Sequence, residues 1–138
     1  MLANTLNTNE VKNSAGTEVE FEHVENLPGR GRVFRQIGES PNLKHRFSIR
    51  HQELGSGADE RRRSALQFIK EFAGVSGVER KVVATLTLDI PVGDISDLTN
   101  PTTVMAELMS FVASLGATTT ILYDGTGNGA AALINGSL

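Results

Sequence analysis

The chain has 138 residues, the length of one domain with one core, and no cysteine, so disulfides and thiolate metal sites are excluded. Its 39% hydrophobic and 21% charged composition argues against a fibre or a disordered tail. A formal charge of −3 hides an asymmetry: residues 30–81 hold 12 of the 13 basic residues against six acids, a net of +6, and the remainder stands at −9. That basic middle points to a polyanion partner, against the plainer reading of a solvated charged surface. No apolar run approaches a membrane span, and the first ten residues lack the basic and apolar regions of a signal peptide, so neither a membrane nor secretion is expected.

Residues 17–24, TEVEFEHV, alternate in polarity and predict a half-buried strand. The turn sequence NSAGT before it and a weaker strand over 5–12 complete an N-terminal hairpin spanning 5–24. ENLPGRG at 25–31 reads as a loop, and 32–38 as another strand. Three longer strands follow. In 43–53 one face carries Leu43, His45, Phe47, Ile49 and His51, and the other carries Lys44, Arg46, Ser48, Arg50 and Gln52 with no acid. The strands over 61–72 and 80–90 alternate likewise around the glycine loop Gly74 to Gly77. Short turns pair such strands antiparallel, and a common apolar side then aligns Lys44, Arg46, Ser48, Arg50, Gln52, Arg63, Gln67, Lys81, Thr85 and Thr87 on the opposite face.

The main sheet is expected over 32–92 and a helical region over 100–138, an α+β succession within a single domain of residues 1–138. Residues 101–115 predict a helix, capped by Asn100, begun by Pro101 and stopped by Gly116. Val104, Leu108, Phe111, Val112 and Leu115 form its apolar stripe. A helix of about 22 Å cannot cover five strands, so a homodimer whose subunits lend helices to each other's sheets is expected. A short helix or strand over 118–123 is open between the two.

No catalytic constellation emerges. His45 and His51 lie about 20 Å apart on one strand, too far to share a metal, and read as buried or edge histidines. Asp89, Asp94 and Asp97 lack calcium-loop spacing and read as turn and helix-start acids. DGTGNG at 124–129 lacks the Lys-Ser/Thr ending of a P-loop, precedes no clear helix and reads as a plain turn. Neither a cofactor nor a metal is expected.

These stretches together resemble the coat proteins of single-stranded RNA bacteriophages of the levivirus type. The resemblance rests on NSAGTEVEF, on LKHRFSIRHQE with its glycine turn and RRRSALQF, and on VATLTLDIPVGD followed by NPTTVMAELMSFVAS and ILYDGTGNG. It covers roughly residues 5–138. It implies an N-terminal β-hairpin, a five-stranded antiparallel sheet and C-terminal helices. Two subunits would interlock as a homodimer with a continuous ten-stranded sheet, and the dimers would assemble in the bacterial host cytoplasm into an icosahedral, T=3-type virion shell. The bare sheet face would meet the single-stranded RNA genome, and in well-studied members it also binds an operator hairpin and represses replicase translation.

Carried over residue by residue, the RNA-facing positions are Lys44, Arg46, Ser48, Arg50, Arg63, Ala65, Gln67, Val83, Thr85 and Thr87, to which strand alternation adds Gln52 and Lys81. Ala65 replaces an adenine-pocket hydroxyl of some members, and Val83 a stacking tyrosine, which favours general packaging over a tight hairpin site. The helix stripe would form the dimer interface, and Gly74, Val75, Ser76 and Gly77 an inter-dimer loop. The alternatives are a cytosolic dimeric RNA-binding regulator that builds no shell, and a small α+β enzyme using Asp89 or His45.

Overall fold

The computed structural model describes residues 2–117 and 120–137. It has two compact units. One comprises the chain up to Val11 together with Val19–Ile95, and the other Lys12–Glu18 together with the chain from Ser96 onward.

The first unit is a six-stranded antiparallel sheet whose strands lie in chain order. They are β1 (Thr5–Leu6), β2 (Phe21–Leu27), β3 (Arg30–Gln36), β4 (His45–Leu54), β5 (Arg61–Ala73) and β6 (Glu79–Ile90). The expected hairpin is therefore part of the main sheet, with β1 only two residues long beside β2. The expected loop at 25–31 shrinks to a tight turn at Pro28 and Gly29. Gly29 sits at φ +80°, a conformation open to glycine, so the flanking residues stay paired. A bulge between His23 and Glu25 then reverses the parity of β2: Phe21 and His23 share a face with Phe34, while Glu25 and Leu27 pair with Val33 and Gly31 on the other.

One face of this sheet is the core. Phe21 and Phe34 are fully buried and Leu6 and Phe47 nearly so, with Val11, Val19, Leu66 and Phe68 packed around them. Register explains the cluster, because Phe34, Phe47 and Phe68 are direct cross-strand neighbours. The Phe34 and Phe47 rings stack at 4.6 Å, and Phe21 meets Phe47 edge-on at 5.1 Å. Each such ring contributes about 1.5–3 kcal/mol by burial alone. The β6 end is different. Its outer edge has no strand partner among the described residues, and Val82 is 59% exposed.

The second unit holds the hairpin tip and the helices. At the tip the Asn13 side chain accepts hydrogen bonds from the backbone N–H groups of Ala15 and Thr17, as a turn sequence should. Helix α1 (Thr99–Ala113) starts two residues earlier than expected and ends two earlier. Asp97, not Asn100, accepts from the first helical N–H at 2.8 Å. The second helix, α2 (Asn128–Asn135), corrects the reading of DGTGNG as a plain turn before no helix. Its glycines serve close packing. A Cβ at Gly127 would lie 2.6 Å from the Val112 carbonyl oxygen, and one at Gly129 would lie 2.5 Å from that of Phe111. The expected element over 118–123 lies partly outside the described residues; Ile121 makes a single bridge to Ser114.

Candidate nucleic-acid interface

The face opposite the phenylalanines is assembled by register. Directly paired residues of antiparallel strands point to the same side. One row runs Glu22, Arg35, Arg46, Ile69, Val83. The next runs Glu25, Val33, Ser48, Gln67, Thr85, and the next Leu27, Gly31, Arg50, Ala65, Thr87. The last runs Gln52, Arg63, Asp89. Lys81 lies opposite Glu71, whose backbone N–H donates to the Lys44 carbonyl at 2.8 Å. The sequence-predicted RNA-facing residues thus come together on one surface by strand parity, joined by Arg35 and Arg61.

Their electrostatics differ from a plain basic face. Arg35 pairs with Glu22 at 2.7 Å and Arg46 with Glu39 at 3.0 Å. Glu39 also accepts the His45 backbone N–H at 2.8 Å, and its side chain is only 9% exposed. Burial works against its charge, but that N–H and the Arg46 guanidinium outweigh it and hold the carboxyl below its usual range. Asp89 takes Arg61 on one oxygen at 2.7 Å and Arg63 on the other at 3.0 Å. Hydrogen bonds from Arg63 and then Arg61 hold the Asp89 carboxyl below its usual range. Sequence reading missed these pairings and took Asp89 for a turn residue.

Arg50 stands apart. It is exposed, lies between the small residues Gly31 and Ala65, and has no carboxylate partner among the described residues. Its surroundings are hydrogen-bonding and small: Ser48, Thr87 and the Gln67 amide, which donates to the Thr85 hydroxyl at 3.1 Å. Among the described residues the face therefore offers one unneutralised guanidinium, flanked by neutral donors and acceptors and by paired arginines.

The histidines lie on the core side. His45 bonds the Gln36 side chain at 2.7 Å and packs edge-on against Phe21, and His51 bonds the Ser64 hydroxyl at 2.8 Å. Burial, then the nearby Lys70 charge, pushes the His45 imidazole below its ordinary value against the pull of Glu39. His45 and Asp89, on which an enzymatic reading would rest, sit on opposite faces of the sheet. No group of three metal-ligating side chains converges among the described residues. None of their helices is long and apolar enough to cross a membrane.

In the second unit Val104, Leu108 and Phe111 are exposed along α1, and Val112 and Leu115 are half-buried. The loop Gly74 to Gly77 is a closed hairpin turn with two backbone hydrogen bonds of 2.8 Å and a fully exposed Val75 at its tip.

No family model and no curated protein matches the chain. Solved structures do. The virus-like particle of bacteriophage AVE015 superposes with a TM-score of 0.50 at 10% identity, covering 72% of this chain and 71% of that one. The virus-like particle of Beihai levi-like virus 32 superposes with a TM-score of 0.54 at 18% identity, covering 67% and 75%. At such identities the likeness is one of fold, and it is the likeness that the strand order and the succession of sheet and helices imply. The chain has the fold of a levivirus-type coat protein.

Proposed function

We propose that this chain is the structural subunit of an RNA-phage shell, which assembles from dimers and packages single-stranded RNA against the face carrying Arg50. The observation that carries this reading is the register that sets Arg35, Arg46, Arg50, Arg61, Arg63 and Lys81 with Ser48, Gln67, Thr85 and Thr87 on one side of the sheet, on a fold shared with particle-forming phage proteins. Phosphate attraction needs charge rather than a shaped pocket, so packaging is consistent with Ala65 and Val83 in the central rows. Hairpin-specific repression would need more than this face offers at those two positions.

Dimer formation accounts for the exposed apolar surface. Pairing of β6 edges would join two sheets into one, with β2 to β6 of each subunit giving ten strands and each β1 at an outer rim. It would also remove a long open edge that is a hazard in a monomer. The α1 residues Val104, Leu108 and Phe111, with Val112 and Leu115, would be buried between subunits. The Gly74–Gly77 turn, with Val75 at its tip, would meet other dimers around the axes of an icosahedral, T=3-type shell. The site of assembly would be the host cytoplasm and the destination the virion.

Two variants test this. Leu108→Asp places a charge in the dimer contact and should abolish soluble dimers; a folded dimer of normal size would refute the interlocked helices. Arg50→Glu should lower the nuclease-protected RNA per particle while particles still form. Unchanged RNA content would refute the assigned face.

A further inference from the structure

We infer that Asp89 is a built-in competitor of RNA phosphate, a carboxylate that occupies the guanidinium forks of Arg61 and Arg63 and tunes how tightly the sheet face holds RNA. The inference rests on the RNA-packaging reading above. Its ground is the way Asp89 spends its hydrogen bonds. Both oxygens go to guanidinium groups: Oδ1 accepts from Arg61 Nε at 2.7 Å, and Oδ2 accepts from Arg63 Nε at 3.3 Å and Nη2 at 3.0 Å. The Nε and Nη2 edge of Arg63 is the edge that would grip a phosphate in bidentate fashion.

Glu39, beside Arg46, is a different kind of group. It also accepts the His45 backbone N–H and is largely buried, so it holds the loop before β4. Asp89 holds no backbone group. Its side chain is 27% exposed and those of its two arginines about half exposed, so a phosphate can reach them. Arg63 and Asp89 sit in the row next to Arg50, since Gln52 is the partner of Arg63 on β4, and Arg61 lies one row further, opposite Leu54. It contributes two positive charges and one negative. Replacing the carboxylate leaves one more cationic group free beside the unpaired Arg50.

The opposite face supplies a matched control. There Glu53 plays the same part between Arg30 at 3.2 Å and Arg62 at 2.8 Å. Glu53→Gln and Asp89→Asn change the net charge equally and each remove the anionic partner of two arginines, on opposite sides of the sheet.

The test is fluorescence anisotropy of the purified full chain with a labelled single-stranded RNA oligonucleotide, repeated over a range of salt concentrations. One added phosphate contact steepens the salt dependence by about 0.7, which is about eightfold tighter binding at about 50 mM salt and about threefold at about 200 mM. Asp89→Asn should show that gain and that steeper slope, Asp89→Ala the same, and Glu53→Gln should stay within about twofold of wild type. Unchanged or weaker binding by both Asp89 variants, with wild type binding RNA, would overturn the inference and leave the packaging reading standing. Equal tightening by Glu53→Gln would overturn it in favour of bulk charge. Wild-type protein that binds no RNA even at low salt would overturn the packaging reading itself, and the inference with it.

Discussion

Arg46 and Arg50 lie four residues apart on one strand and one face, yet truncating them should have opposite consequences. Arg50 has no carboxylate partner among the described residues, so Arg50→Ala removes an unneutralised charge and strips no buried carboxylate of its partner. One lost phosphate contact costs about eightfold in RNA affinity at about 50 mM salt. Folding stability should stay within about 0.5 kcal/mol, as for an exposed surface position. Arg46→Ala instead strips the partner from Glu39, whose side chain is 9% exposed and 3.0 Å from the guanidinium. A fully buried pair broken in this way would cost about 3–5 kcal/mol. Arg46 itself is 37% exposed, so solvent screening reduces the figure to about 1–2 kcal/mol. Its effect on RNA should be the smaller, because much of its charge is already cancelled. Urea unfolding followed by circular dichroism, alongside RNA anisotropy at low salt, measures both quantities. Equal losses of RNA affinity, or a large stability cost at Arg50 with none at Arg46, would refute the division into a free and a latched arginine.

Three further outcomes follow from the core and the helices. Phe34→Ala removes a fully buried ring stacked at 4.6 Å on Phe47 and should cost about 3–5 kcal/mol in denaturant unfolding. The depressed imidazole of His45 means that the unfolded chain binds its proton more readily than the folded one. Stability should therefore be unaffected by this group above about pH 6.5 and fall as pH drops through the unfolded value toward the folded one. His45→Gln should flatten that stretch of the profile, while the carboxylate losses from Glu39 and Asp89 remain below about pH 4.5. Gly129→Ala puts a methyl 2.5 Å from the Phe111 carbonyl oxygen and should cost about 1–3 kcal/mol, read as an earlier loss of helical circular dichroism.

Strand parity made much of the candidate interface legible. Alternation over 43–53, 61–72 and 80–90 is enough to divide the residues between two faces, because a side-chain period of two leaves no other choice once one face is apolar. The charge pairing was not legible in the same way. That Asp89 meets Arg61 and Arg63 depends on the register that brings together residues 28 and 26 positions apart, set by where the turn at Gly74 to Gly77 closes. Glu39 reaches Arg46 from a loop whose path no periodicity describes. The bulge at Val24 moved Glu25 and Leu27 to the basic face against simple alternation. Helix α2 was hidden because its glycines signal a turn locally, while their use is steric, against the end of α1. The fold class was thus readable from local pattern, and the electrostatic balance of the face only from long-range geometry.

The central claim, a self-assembling shell around RNA, is tested most directly by expressing the chain alone in bacteria. The product would be imaged by negative-stain electron microscopy, with absorbance at 260 and 280 nm read after nuclease treatment. The account predicts closed spherical particles that carry protected RNA. Discrete dimers without particles would contradict it and favour a dimeric RNA-binding regulator, and empty particles would contradict the RNA-facing role of the Arg50 surface.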